Sequence, residues 1–291
     1  MVTSRNYRVA GFEFSISAEQ ETLALLTNYE PFAFTEPMQQ PIFQLTIGKV
    51  DVSGEQTHVF TDSSDDDMPR IEVFHLDSDW LIQVSMFKNS PICARIRANA
   101  DFSVATLEPD MQSVKFAIDN AAMLLFAFAT AKLGALEMHA SVTVKDDKGF
   151  LFLGKSGTGK STHSRLWQEA FEDARLLNDD NPILRLLPNG EVRVYGSPWS
   201  GKTPCYINKD VPVGSIVKLS QAPQNEIRPL KLPEAYAYML SSCSGLKIEP
   251  EMMDALYATI AGIIQAIQVY HLDCLPDTDA ARLCERTVSG R

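Results

Sequence analysis

The chain has 291 residues, 45% of them hydrophobic and 22% charged, with a formal net charge of −11 at pH 7. A chain of this length buries a sizeable core, as one large domain or two. Its acidic balance, with a dense run at residues 62–67, argues against a nucleic-acid or anionic-membrane surface, because both require patches of Lys and Arg.

The five cysteines (Cys93, Cys205, Cys243, Cys274, Cys284) are scattered and lack a Cys-x-x-Cys pair. They read as reduced thiols rather than a disulfide frame or a zinc site. The N-terminus carries Arg5, Arg8 and Glu13 and no apolar signal-peptide core. The longest apolar run, 121–131, is too short to span a bilayer. These features predict a soluble, cytoplasmic protein with neither nucleic acid nor membrane as partner.

In chain order, residues 1–110 read as a strand-rich N-terminal lobe, with strands at 7–16, 42–47, 71–76, 80–87, 92–98 and 103–107. A short helix is expected at 18–28, a hairpin connection at 76–80 and a loop over the charge run 63–69. The lobe carries no recognisable chemistry, and its expected role is to flank a nucleotide domain at 111–291.

That second domain opens on a change of period. Val114, Ile118, Ala121, Ala122, Leu125 and Ala129 recur at helical spacing, which predicts a mostly buried helix over 112–136 with Gly134 as its left-handed cap. A strand at 138–144, a turn at 145–149 and a second strand, 149–153, then form a hairpin. The hairpin sets the start of its first strand beside the end of its second, which places His139 near Gly154.

The second strand runs into Gly154-Lys155-Ser156-Gly157-Thr158-Gly159-Lys160-Ser161, and a segment with helical spacing follows from Thr162. Strand, glycine-rich loop and helix are the context of a phosphate-binding P-loop. The three glycines let the backbone turn tightly and aim successive N–H groups inward at a helix N-terminus. Lys160 is placed to reach the outer phosphates of ATP, and the Ser161 hydroxyl to hold Mg²⁺. Residues 154–162 therefore form the expected nucleotide-binding set, closing with Thr162. His139 at the phosphate end is a candidate for a metal or γ-phosphate role beside the commoner structural one.

Downstream, Leu176-Leu177-Asn178-Asp179-Asp180 reads as a short strand ending in paired acids. Mg²⁺ needs carboxylate oxygens, and a hydroxyl nucleophile benefits from a carboxylate that takes its proton. The same letters are also good turn chemistry.

His139-Ala-Ser, then Gly-x-Ser-Gly-Thr-Gly-Lys-Ser, then Asp179-Asp180 resembles the HPr kinase/phosphorylase family and the ATP-dependent phosphoenolpyruvate carboxykinases. The resemblance covers about 112–200 and implies an α/β P-loop fold, a mixed sheet with flanking helices. It implies Lys160 on the β- and γ-phosphates, Ser161 and Asp180 on the metal, Asp179 as the acid/base and His139 as the active-site histidine. The kinase family's later glycine-rich segment with a metal-binding Glu has no clear match, and Glu191-Val192-Arg193 comes too early. The carboxykinases are far longer, so the nearer comparison is an HPr-kinase-related kinase.

A strand at 191–195 leads into the loop 196–202, where Lys202 is a candidate to stabilise transferred charge and Trp199 to shape an acceptor pocket. Further strands are expected at 214–219, 227–232 and 270–273, and helices at 233–243, 250–269 and 277–287. His271 and Cys274 read as core. The resulting expectation is an ATP- and Mg²⁺-dependent phosphotransferase acting on a hydroxyl of a protein or small molecule. Asp179, His139, Lys160 and Lys202 form its catalytic set, and Ser161, Asp180 and His139 its metal set. A carboxykinase-like lyase and a nucleotide-sensing module without transfer are the alternatives, and a homo-oligomer is left open.

Overall fold

A computed structural model describes residues 1–62, 69–201, 203–246 and 249–290. Two compact units emerge: residues 1–130 with Leu246 and Glu249, and residues 131–245 with 250–290.

The first unit holds β1 (Val2–Val9), β2 (Phe12–Glu19), α1 (Gln20–Leu23), β3 (Ala33–Phe34), β4 (Pro41–Ile47), β5 (Gln56–Asp62) and β6 (Arg70–Leu76). It continues with β7 (Asp79–Ser85), β8 (Ile92–Ala98), β9 (Val104–Pro109) and α2 (Val114–Thr130). The strands form one nine-stranded mixed sheet, ordered β3-β1-β2-β4-β9-β8-β7-β6-β5. The single strand expected at 7–16 is a hairpin instead. Ala10 and Gly11 take φ of 50° and 81°, a turn whose twist suits a two-residue connection between β1 and β2. The expected loop 63–69 lies, but for Pro69, outside the described residues.

The helix α2 packs on β4, β8 and β9, so the first unit runs to Thr130 rather than to 110. Its apolar stretch, extended to Leu133, is long enough to cross a membrane by composition alone, but most of it is buried in the fold. The run is thus longer than the 121–131 segment suggested. A 3₁₀ turn, Ala131–Leu133, and Gly134 at φ 71° close it, as the expected left-handed cap.

The second unit contains β10 (Ala135–Glu137), β11 (Ala140–Lys145), β12 (Lys148–Leu153), α3 (Lys160–Ala170), β13 (Arg175–Asp180), β14 (Ile183–Leu186) and β15 (Val192–Tyr195). It ends with β16 (Asp210–Gln221), β17 (Glu226–Pro229), α4 (Leu232–Ser242), α5 (Pro250–Ala266), β18 (Val269–Cys274) and α6 (Thr278–Val288). Its sheet runs β10-β14-β15-β16-β12-β11-β13, with β18 also on β16 and β17 on β18. Both faces are covered. Phe150 and Phe152 of β12 pack against Trp167 of α3 and Cys284 of α6, while Leu151 and Leu153 point to a second core with Met239 of α4 and Ile260 of α5. The protein is therefore mixed α/β, with two large mixed sheets and flanking helices.

Strand direction fixes where chemistry can gather. β12 runs parallel to β16, and β16 to β18, while β11 lies antiparallel between β12 and β13. The ends of β12, β13, β16 and β18 therefore face one way, together with the start of β11. The carboxyl edge of such strands is where α/β sheets bind ligands.

Candidate active site

The turn Asp146-Asp147, with φ of 50° and 57°, folds β11 back on β12 and pairs Ala140 with Leu153. His139 is thereby brought to Gly154, as the hairpin reasoning expects. After Leu153 the chain makes the glycine-rich loop. Gly157 and Gly159 adopt φ of 77° and 107°, and the Thr158 amide donates to the Lys155 carbonyl at 3.1 Å. Gly159, at the N-cap of α3, makes no side-chain capping hydrogen bond to the first amides of the helix. Lys155, Ser156, Gly157 and Ser161 are exposed, Thr158 and Thr162 half-buried.

Lys160 is buried at 8% exposure, and its ammonium donates to the Gly154 carbonyl and to His139 Nε2, both at 2.9 Å. Asp180 Oδ1 lies 3.2 Å from the same imidazole nitrogen. One nitrogen serves two neighbours: unprotonated it accepts from Lys160, protonated it donates to Asp180. Burial pushes the Lys160 ammonium below the usual lysine range, while the negative charges of Asp180 and Asp179 pull it back up.

The Asp pair ends β13, as expected. Asp179 is buried at 3% exposure. It pairs in register with Ser141, whose hydroxyl meets Ser164 of α3 at 2.6 Å, so Asp179 shares the sheet face covered by α3. Cys205 sits within its field: burial first, then the Asp179 charge, pushes that thiol up to about 11 and keeps it neutral. Asp180 has φ of 118°, a conformation side chains rarely adopt. The loop 196–201 holds it there. The Gly201 amide and the Ser200 hydroxyl donate to the Asp179 carbonyl at 2.7 and 2.9 Å, and Asp180 bridges Ser200.

Asn178, fully buried, ties that loop to β13. Its amide group donates to the Ser197 hydroxyl and the Trp199 carbonyl at 3.2 and 3.1 Å, and its Oδ1 accepts from the Asn181 amide at 3.0 Å. The sequence places Asn178 on a short strand or turn and Ser200 and Gly201 in the 196–202 loop, but nothing in it marks these residues or Cys205 as supports of the Asp pair. Trp199, expected to shape an acceptor pocket, is buried at 3% exposure. Lys202 lies outside the described residues.

Among the described residues no three His, Cys, Asp or Glu side chains converge to hold a metal. The expected set of Ser161, Asp180 and His139 offers one carboxylate, one imidazole and a hydroxyl. Mg²⁺ prefers oxygen ligands, so of this set the Asp180 carboxylate and the Ser161 hydroxyl fit it and the His139 nitrogen does not. His271, read as core, is only part-buried and meets Ser220 Oγ at 2.9 Å.

Neither protein-family profiles nor curated proteins yield a match to this chain. Among solved structures, the Hpr(Ser) kinase/phosphatase from Coxiella burnetii is similar at 16% identity, covering 53% of this chain and 94% of its own, with a TM-score of 0.32.

Proposed function

We propose that the protein is an ATP-dependent phosphotransferase, related to the HPr kinases, that phosphorylates a hydroxyl of a protein or small molecule. The observation that carries this is the meeting of Lys160, His139 and Asp180 on one imidazole nitrogen at the mouth of the glycine-rich loop. A cation, an acid and an imidazole are thus gathered beside Gly154.

Each residue has a role that its placement supports. The amides of 157–161 and the Lys160 ammonium bind the phosphate oxygens and offset the charge that develops as the phosphoryl group moves. Asp179, in a low-dielectric position, accepts the acceptor's hydroxyl proton as the new O–P bond forms and the bond to the departing ADP oxygen breaks. Mg²⁺, when bound, neutralises charge on the phosphates, and Ser161 and Asp180 are the groups that would hold it. The neutral Cys205 beside Asp179 does not compete for the proton.

The test is transfer from γ-labelled ATP to a panel of protein and small-molecule hydroxyl acceptors, with ADP release followed in parallel. Transfer that falls about 10²- to 10⁴-fold in Asp179→Asn, with ATP affinity kept, supports the assignment. Tight ATP binding with no transfer to any acceptor would leave a nucleotide-sensing module. An Asp179→Asn variant with undiminished turnover would remove the proposed base.

A further inference from the structure

On the far side of β12 from the Asp pair, β16 carries a second group of side chains to the same edge. Lys218 stands in register with Leu153, the last residue before the loop, and on its other side with His271 of β18. Its ammonium lies 5.5 Å from the ring centroid of Tyr238 on α4 and 3.3 Å from Ser220 Oγ, and it also donates to the Leu219 carbonyl. Ser220 is held in turn by His271 Nε2 at 2.9 Å, with Asp273 Oδ1 3.5 Å from that nitrogen.

Gln221, at the end of β16, donates to the Gly157 carbonyl at 3.1 Å and so fastens this strand to the loop. Arg228, next in the row, is taken up by Glu234 at 3.0 Å, whereas no carboxylate forms an ion pair with Lys218 among the described residues. Burial holds the Lys218 ammonium below the usual range; Asp273 opposes this, and the Lys155 charge in the loop adds to it. A part-buried cation facing another cation is a place for an anion.

Polarity along the loop decides which anion. Lys160, His139 and Asp180 mark the end where a phosphoryl group is transferred, on the β11 and β13 side. The rest of a nucleotide must then extend the other way, over β16. We propose that Lys218 and Tyr238 form the subsite for the nucleoside half of the nucleotide. The Tyr238 ring supports the base or ribose, and the Lys218 ammonium meets the α-phosphate. Ser220 and His271 position Lys218 and touch no ligand. This rests on the phosphotransferase reading of the P-loop.

Isothermal titration of the full chain with Mg²⁺-ATP and with Mg²⁺-tripolyphosphate, which lacks a nucleoside, tests it. Tyr238→Leu, which keeps the bulk of the side chain on α4, should weaken ATP about 10-fold and leave tripolyphosphate within about 2-fold, in the range of base–aromatic stacking. Lys218→Met should weaken both probes alike, and this arm does not depend on the packing of α4. Tyr238→Leu with unchanged ATP affinity, or with equal losses for the two probes, overturns the subsite while the P-loop reading stands. A wild-type protein that binds neither probe overturns the P-loop reading, and the subsite with it.

Discussion

Replacing Lys160 by Met separates what the fold needs from what a ligand needs. In the free protein the ammonium makes two hydrogen bonds of 2.9 Å, to Gly154 O and His139 Nε2. Hydrogen bonds to charged groups are worth about 1.5–3 kcal/mol each, and losing the donor leaves the buried Gly154 carbonyl and the half-buried His139 nitrogen without it. Against this stands the desolvation that pulls the Lys160 pKa down: a folded-state value below the unfolded one means that the charge costs stability at neutral pH. The two effects oppose one another, so the melting temperature should move by only a few degrees.

Binding has no such compensation. Removing a buried charge from its phosphate partner costs at least about 2 kcal/mol, a roughly 30-fold rise in Kd. At a nucleotide concentration 100 times the wild-type Kd, the wild type gains about 2.7 kcal/mol, whereas a 30-fold weaker variant gains about 0.9. At about 2–4 °C per kcal/mol for a unit of this size, that is a shift of roughly 5–11 °C against 2–4 °C. Differential scanning fluorimetry with Mg²⁺-ATP reads both numbers. A Lys160→Met protein that shows the full wild-type shift would refute the placement of the phosphates.

Three further outcomes follow from individual contacts. A Cβ added at Gly201 would stand 3.0 Å from Asp180 Cβ and 3.1 Å from its Oδ2, so Gly201→Ala should displace that carboxylate and weaken the Mg²⁺ dependence of nucleotide binding several-fold, read from a Mg²⁺ titration. Asn178→Ala removes the ties between β13 and the 196–201 loop and should cost about 2–4 kcal/mol, measured by urea unfolding. His163, buried against Phe152 and accepting from Trp167 Nε1 at 3.1 Å, has its pKa pushed down to about 4 by burial. The unfolded chain takes up that proton near pH 6.5 and the fold does not. Stability should therefore be full above pH 6.5 and fall by about 3 kcal/mol as pH drops to 4, a slope that His163→Gln should flatten.

What was legible in the sequence was local. The strand, loop and helix around Gly154–Lys160 are contiguous, and the Asp146-Asp147 turn fixes a register that carries His139 to the loop. The elements that escaped reading lack that contiguity. β5 is an edge strand of mostly polar residues and shows no apolar pattern, and β14 is only four residues long and follows directly on Pro182. Gly11 fits an alternating pattern as a small residue, while its positive φ makes it half of a turn. The Asn178 ties span 19 and 21 residues, and the Lys218–Leu153 register spans a parallel crossover. Such pairings are set by the topology of the whole sheet and leave no local periodic mark.

The topology also explains why Asp180 is strained. With β11 inserted antiparallel between β12 and β13, a residue from the start of a strand, His139, faces residues from the ends of its neighbours. To bring a carboxylate back to that histidine, the last residue of β13 must leave the alternation of the strand, and Asp180 does so at φ 118°. A non-glycine residue so placed costs about 1–3 kcal/mol and persists only where its surroundings over-determine it. Here the surroundings are identifiable: two donors on the Asp179 carbonyl, the Ser200 bridge, and Gly201 packed against the Asp180 side chain. An aspartate in a plain turn could relax, or be replaced by Gly or Asn at no cost to the fold. The 196–201 loop instead holds Asp180 at 3.2 Å from His139. Turn chemistry alone does not account for it.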